Sequence, residues 1–387
     1  MKKNVMLLLA VVAMLGMYSC KGGSTSGEGT ADAPEFEKLD ERATLIKIFE
    51  ALNGKEWPED NKAGWCTDAP LGEWEGVEVD EAGKVVELSL FHRGVKGTLP
   101  AEIQNLESLK LLNIDFDNNG SGIQNPVPAN VFQMTSLESL RLGCPTSHEE
   151  EYIQLPESFN LPNLTKLTIN RVKGDFHQLG TCTNLEDIVI KNCTPDIPEE
   201  IGNCTKLTSI FWEGQGAPTK PLTSALTKLT ALKTLQLYSD EAYDEKLPDF
   251  IWDITSLKSL TLKGVASNQG ELDAEKIAKL SNIEGLHLNK DGITNIPDGL
   301  FDIPTIKYLD LSKNAISGSI PASIGNNTKL QDIDFSDNPD LKGSIPASIG
   351  NLKDLYDVDF SGTGIDQNIP AAMKSLAKYE DLVKDMF

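Results

Sequence analysis

Basic side chains are in short supply in this chain of 387 residues: 35 lysines and arginines face 58 aspartates and glutamates, a formal charge of −23. A polyanion of that size repels phosphate backbones, which argues against nucleic acid as a partner and for basic peptides, cations or cationic surfaces. Histidine is rarer still, and His92, His148, His177 and His287 are scattered. The chain lacks a Walker phosphate loop, a His-Glu-x-x-His pair and a calcium loop, and no serine or cysteine nucleophile stands inside a recognisable motif. An enzyme is therefore not expected. Cysteine cannot supply a disulfide framework, because with Cys20 set aside an odd set remains, namely Cys66, Cys144, Cys182, Cys193 and Cys204. No Cys-x-x-Cys spacing or nearby histidine completes a metal site. The one long apolar run, Val5 to Met17, is short for a membrane span.

What the chain has instead is a repeat. A Leu-x-x-Leu-x-Leu pattern starts at Val85, Leu109, Leu137, Leu164, Leu185, Leu207, Leu232, Leu257, Ile283, Ile306, Leu330 and Leu355, about every 25 residues. The fourth and sixth places of each unit are apolar and alternate with polar neighbours, so each unit predicts a strand. One such strand buries too little apolar surface to be stable alone. Stacking side by side gives a continuous core and completes the backbone ladders.

The run Leu309-Asp-Leu-Ser-Lys-Asn-Ala-Ile-Ser-Gly-Ser-Ile-Pro321 returns as Ile333-Asp-Phe-Ser-Asp-Asn-Pro-Asp-Leu-Lys-Gly-Ser-Ile-Pro346, and Ile320-Pro-Ala-Ser-Ile-Gly-Asn326 returns at Ile345 to Asn351. With these repeats the chain resembles the leucine-rich repeat proteins, in particular the Leu-x-Gly-x-Ile-Pro subtype of plant receptor ectodomains. The resemblance implies an α/β solenoid, a right-handed curved superhelix with a parallel sheet on its concave side and irregular turns or short helices behind. Units near 164 to 212 and 257 to 306 depart from the Gly-x-Ile-Pro tail, which puts the subtype's flanking strand there in question. Cys182 and Cys204 share one repeat place, and Cys193 holds the inner-ladder place of Asn314 and Asn338. In this family cysteine at these places is a small buried group; a Cys182 to Cys204 bridge between adjacent coils is the alternative.

Both ends read as caps. Residues 36–84 form the N-terminal one, in which Asp40 to Leu52 place Leu45, Ile48, Phe49 and Leu52 on one helical face before Asn53-Gly54 stops the helix. Trp57, Trp65 and Trp74 follow, and Trp65 to Val79 is similar to the cap of the same plant-type proteins, which hold a cysteine pair where only Cys66 stands here. The repeats occupy 85–370. Residues 371–387 predict a C-terminal capping helix with Met373, Leu376, Leu382, Val383 and Met386 turned to the last coil.

The first 20 residues resemble a bacterial lipoprotein leader: Lys2 and Lys3, the apolar run, then Tyr18-Ser19-Cys20 and a Gly- and Ser-rich stretch. Lipidation of Cys20, with 21–35 as a flexible tether, implies attachment to a membrane, and the expectation is the outer membrane of a Gram-negative envelope.

Strand alternation displays the third, fifth, seventh and eighth places of each unit on the concave face. The fifth-place ladder runs Phe211, Gln236, Thr261, His287, Asp310, Asp334, Asp359, and the seventh-place ladder Glu213, Tyr238, Lys263, Asn289, Ser312. Phe211, Glu213, Tyr238, Lys263, His287 and Tyr308 are the candidate ligand contacts, since mixed aromatic and polar groups suit a protein, peptide or glycan. Asp310, Asp332, Asp334, Asp357 and Asp359 put carboxylates about 5 Å apart across strands and about 7 Å along them, a candidate site for a basic peptide or weakly bound calcium. No other cofactor is expected. The chain thus reads as a lipid-anchored envelope protein that captures a ligand for adhesion or uptake. The alternative is a structural envelope component whose sheet face is merely solvated.

Overall fold

The computed structural model describes residues 36–91, 93–114, 122–123, 127–143, 153–174, 176–384 and 386–387. The expected leader and tether, with Cys20, lie outside these residues, as do Cys144, His92 and His148.

Each repeat forms the strand its alternation predicts. The strands are β1 (Val77–Val79), β2 (Val85–Ser89), β3 (Leu111–Ile114), β4 (Ser139–Gly143), β5 (Lys166–Asn170), β6 (Asp187–Cys193), β7 (Ser209–Gly214), β8 (Thr234–Ser239), β9 (Ser259–Lys263), β10 (Gly285–Asn289), β11 (Tyr308–Asp310), β12 (Asp332–Asp334) and β13 (Asp357–Asp359). They lie in chain order in one sheet, and every pair from β2 onward is parallel. The register matches repeat places: Leu235 pairs with Leu260, Leu260 with Leu286, Leu286 with Leu309 and Leu309 with Ile333. Fourth-place side chains from Leu88 to Val358 form an unbroken inner ladder in which none is more than 2% exposed. The result is a curved solenoid with the parallel sheet on its concave side.

Proline starts most of the back turns. Pro100, Pro128, Pro198, Pro248, Pro297, Pro321, Pro346 and Pro370 each precede a five-residue 3₁₀ turn. A fixed φ near −65° suits the entry, and the missing N–H is no loss there because the carbonyl does the closing: Ile349 N–H donates to Pro346 O at 3.1 Å. Successive turns pack closely enough to require glycine, since a Cβ on Gly325 would lie 2.4 Å from Ser348 O. Flanking strands behind the sheet form only in places, pairing Lys96–Gly97 with Gly122–Ile123, Ile153–Gln154 with Val172–Lys173, and Lys342–Gly343 with Gly364–Ile365. Single bridges join Asp244 to Ala266, Gly270 to Ile293 and Gly318 to Leu341, so the stretch from 257 to 306 keeps some flanking contact without the Gly-x-Ile-Pro tail.

The ninth place holds the inner polar ladder. Asn338 is fully buried; its amide donates to Leu311 O (3.0 Å), Phe335 O (2.9 Å) and Ser336 O (3.1 Å), and its oxygen accepts from Ile316 N–H (3.0 Å). Cys193 fills the same place and donates to Glu213 O at 3.3 Å. Cys182 and Cys204 are free and buried, so no bridge joins their coils, and burial pushes the Cys204 thiol up to about 12.

At the N-terminus, helix α1 (Glu41–Ala51) is capped by Asp40, which accepts from Ala43 N–H at 2.7 Å, and Asn53 leaves it at φ +56°. Leu45, Ile48, Phe49 and Leu52 turn inward, and Phe49, Trp57, Trp65 and Trp74 form an aromatic cluster with ring centroids 5.1–5.6 Å apart. Strand β1 pairs antiparallel with β2 and covers the sheet's first edge. Cys66 is a free, exposed thiol.

The C-terminal end departs from the expected single helix over 371–387. Pro370 starts one more back turn, Ala371–Ser375, identical in kind to those after Pro321 and Pro346, and the α-helix proper is only Tyr379–Lys384. The apolar spacing reflects a repeat turn followed by a short helix. Met373, Leu376, Leu382 and Met386 are buried, and Phe360 N–H donates to Met386 O at 2.7 Å, so the tail itself satisfies part of the last edge.

Replacing Asn338 with Ala leaves the buried Ile316 N–H and the Phe335 carbonyl without the partners they have here, while Leu311 O and Ser336 O keep the Asn314 amide and the Lys313 N–H. Urea denaturation should show a loss of about 2–4 kcal/mol, whereas Asp340→Ala, on an exposed side chain of the same turn, should be near neutral. A loss below about 1 kcal/mol for Asn338→Ala would mean that the ladder does not hold adjacent coils together.

Candidate binding face

Fifth-place residues align across the concave face as Val189, Phe211, Gln236, Thr261, His287, Asp310, Asp334 and Asp359, each in register with the next. Glu213, Tyr238, Lys263 and Asn289 align likewise at the seventh place. Tyr308 belongs to the third-place ladder with Asp332 and Asp357. The sequence thus places Phe211, Glu213, Tyr238 and Lys263 in one group, and His287, Tyr308 and the aspartates in another. Two expected face residues are not displayed: Thr261 is 8% and Ser312 5% exposed. Their short side chains lie below longer neighbours, and Ser312 Oγ accepts from Asn289 at 2.9 Å. The eighth place turns out of the sheet at positive φ in Arg171, Asn192, Lys290, Lys313 and Asp337, so it belongs to the rim and not to the face.

Phe211 and Tyr238 stack with centroids 5.1 Å apart and planes inclined by 27°. Cations close both ends of this stack: Lys191 Nζ lies 5.1 Å from the Phe211 ring and Lys263 Nζ 5.8 Å from the Tyr238 ring. The four side chains come from the consecutive strands β6 to β9 and form one half-buried to exposed platform. Burial, then the charges of Glu213 and Asp310, push the Tyr238 hydroxyl up, so it stays a neutral donor and acceptor. The aromatic ladder does not by itself reveal Lys191. Its seventh-place position in the preceding unit was the available signal. Arg141, on β4, stacks over Phe91 at 5.1 Å in the same way.

The five aspartates divide by place. At the fifth, Asp310, Asp334 and Asp359 each accept from a backbone N–H two residues on, those of Ser312 (2.9 Å), Ser336 (2.8 Å) and Ser361 (2.7 Å). The Asp-x-Ser recurrence therefore has a structural reason: the carboxylate closes its own strand end. Asp310 also accepts from Asn289 at 2.7 Å, and its second oxygen is 3.9 Å from His287 Nδ1. Burial alone would raise its carboxyl, but His287, Asn289 and Ser312 more than offset that and hold it at about 2. Burial, with Asp310 and Asp359 nearby and Ser336 opposing, leaves Asp334 raised. At the third place, burial and then the charge of Asp357 raise Asp332, and among the described residues neither the Asp332 nor the Asp357 side chain has a hydrogen-bond partner.

Among the described residues no three His, Cys, Asp or Glu side chains converge on a point that would hold a metal ion, which leaves the calcium expectation without geometric support. No hydroxyl or thiol donates to His287 among these residues either. The face carries stacked rings, charges of both signs and hydrogen-bonding groups.

A leucine-rich repeat family model matches residues 281–339. Receptor-like protein 39 of Arabidopsis thaliana is 30% identical over 164 residues, which is 41% of this chain and 17% of that protein. The chain therefore spans less than a fifth of that relative. Among solved structures, the PEPR1–AtPEP1 complex superposes with a TM-score of 0.64 at 21% identity, over 87% of this chain and 47% of the other. The ectodomain of the Arabidopsis receptor kinase HAESA, in complex with an N-terminally extended IDA peptide hormone, gives 0.57 at 23% identity, over 86% and 52%. An internalin of Listeria monocytogenes gives 0.53 at 20% identity, over 87% and 93%. Residues 281–339 thus match the leucine-rich repeat family, and at these identities the structural likeness extends the leucine-rich repeat fold over the described chain.

The two kinds of aspartate predict opposite pH dependences. Asp310, depressed in the fold, adds stability that is complete above the unfolded value near pH 4 and is lost as pH falls towards about 2. Asp332, raised in the fold, subtracts stability as pH climbs from the unfolded value through its folded one. Melting curves from pH 2 to 7 should show Asp310→Asn losing most of its deficit at the acid end and Asp332→Asn gaining stability towards neutrality. Parallel curves for the two variants would contradict this division.

Proposed function

We propose that this chain is a lipid-anchored protein of a Gram-negative envelope whose concave face captures an extended peptide. The observation that carries the reading is the Lys191–Phe211–Tyr238–Lys263 platform: a stacked aromatic pair closed by cations, set in a continuous sheet. Aromatic anchors with charged borders are the groups that dominate binding energy at protein surfaces. Charge along the face adds a polarity. Arg141, Lys166 and Lys191 stand on β4 to β6 with Asp187, between Glu87 on β2 and Glu213 on β7, while β11 to β13 carry Asp310, Asp332, Asp334, Asp357 and Asp359 with no lysine or arginine at their third, fifth or seventh places. A peptide whose basic end lies over the later strands is complementary to this arrangement. From Arg141 on β4 to Asp334 on β12 there are eight strand spacings, about 38 Å, which about 12 extended residues would cross. The HAESA ectodomain, of similar fold, is in complex with a peptide hormone, which supports a peptide as the class of ligand here.

The anchor rests on Cys20, at the end of the apolar run and ahead of a flexible stretch. Acyl chains on that cysteine would fix one end to the outer membrane and leave the solenoid free to meet ligands. Metabolic labelling with a fatty acid should mark the wild-type chain and not Cys20→Ser, and equal labelling of both would remove the anchor.

The binding reading is tested by panning a display library of 12-residue peptides against the chain without its leader. Retained peptides should be enriched in lysine and arginine at one end and in aromatic residues near the middle. Phe211→Ala and Tyr238→Ala should each weaken a selected peptide by about tenfold, and Asp332→Asn with Asp357→Asn should flatten its salt dependence. Retention that ignores all four substitutions, or capture of glycans alone on an array, would set the peptide reading aside.

A further inference from the structure

Asp291 stands at the ninth place of the unit that begins at Ile283, the place held by Asn314 and Asn338 in the next two units and by Cys193 earlier. In those asparagines the amide nitrogen does half the work: Asn314 Nδ2 donates to Leu288 O (2.7 Å), Leu311 O (2.9 Å) and Ser312 O (3.1 Å). Asp291 reproduces the accepting half. One of its oxygens accepts from Val265 N–H (2.7 Å) and Ala266 N–H (3.0 Å), and its own N–H donates to Asn314 Oδ1 (3.0 Å). The other oxygen is buried and has no hydrogen-bond partner, in a residue that is 0% exposed. By repeat equivalence that oxygen occupies the asparagine nitrogen's position, facing the carbonyls of Leu262, Leu288 and Asn289. An ionised carboxylate has no proton to offer them, whereas a neutral acid has one O–H donor.

We propose that Asp291 is a pH-sensitive joint of the solenoid, completing the ladder as a neutral acid and, when ionised, loosening the turn at Gly264–Ala266 that follows Lys263 on the binding face. The charged groups of the turns packed around it do not stabilise the anion directly. Asp240, Asp244, Glu245, Lys290 and Lys313 lie on these turns, and among the described residues none of their side chains is hydrogen-bonded to the Asp291 carboxyl; His287 and Asp310 point to the opposite, concave face of the sheet. Burial pushes the carboxyl up to about 7 against the pull of the Ala266 and Val265 N–H groups. The linkage then has a definite sign. Between the unfolded value near 4 and about 7 the folded chain holds a proton that the unfolded chain has released, so stability falls as pH rises through that window and is level above it.

The test compares the full chain with Asp291→Asn, which supplies the missing donor at nearly equal volume. Its gain in melting temperature should be close to nil at pH 4, grow through the window and level off at several degrees above neutrality. In the wild type, amide exchange at Val265 and Ala266, corrected for intrinsic rates, should report an opening constant rising by up to about tenfold per pH unit over the window, and in the variant it should not. A gain that is flat with pH, a variant less stable than wild type at pH 8, or equal exchange in the two chains would overturn the proposal. None of these readouts requires a ligand, so their failure is separable from failure of the peptide reading.

Discussion

Parallel stacking in register is the constraint on which the rest of this molecule depends. A strand of three to seven residues with two inward apolar side chains has no independent stability, and its amide groups would be left to water. Each coil is completed only by the coils on either side, through the fourth-place ladder, the backbone bonds between strands and the ninth-place polar groups. Register therefore cannot slip by one residue without turning Leu260 and Leu286 out and Thr261 and His287 in. The same constraint fixes which side chains meet on the concave face. The Phe211 to Tyr238 stack exists because two fifth- and seventh-place residues on adjacent strands lie on one diagonal, at a separation set by the sheet and not by any local preference of the rings.

A solenoid must also end, and the two ends solve that by different means. At the start, α1 and the tryptophan cluster bury the first coil while β1 occupies the open sheet edge with an antiparallel strand. At the finish, the array adds a further back turn after Pro370, and a short helix then returns the chain so that Met386 O meets Phe360 N–H. An open edge of parallel strands would be a template for pairing with other chains. Each end thus covers part of its edge with the chain's own residues.

The period of the repeat, the inward ladder, the helix from Asp40 and the buried cysteines were legible in the sequence because each follows from a short-range pattern repeated in phase. Less was legible where two patterns overlap. In the last 17 residues, helical spacing of Met373, Leu376 and Leu382 conceals a repeat turn, and only the recurrence of a proline at position 370 marks it. On the face, alternation specifies direction but not height, so Thr261 and Ser312 point the expected way and are still shielded by longer neighbours. The roles of Lys191 and Arg141 are not legible in the repeat pattern for a related reason. Their contacts run diagonally between units and depend on the reach of a long side chain over a ring, which a list of equivalent places does not contain.

The aspartate ladders show how structure and recognition can be separated at residues that look alike. Two carboxylates about 5 Å apart repel by roughly 0.8 kcal/mol with the screening of water and by about 3 kcal/mol at an effective dielectric constant of 20. For Asp310, Asp334 and Asp359 this cost is offset by the backbone N–H each one caps, and for Asp310 also by Asn289 and His287. Such residues would be retained whether or not anything binds. Asp332 and Asp357 lie directly opposite one another and cap nothing, and at Asp332 the nearby His287 offsets only part of the repulsion. The pair lies three strands from the aromatic platform, with Asp332 half-buried and Asp357 exposed, so water screens much of the repulsion. A cationic group bound from outside would relieve that repulsion, which is the link between this pair and the peptide reading proposed above.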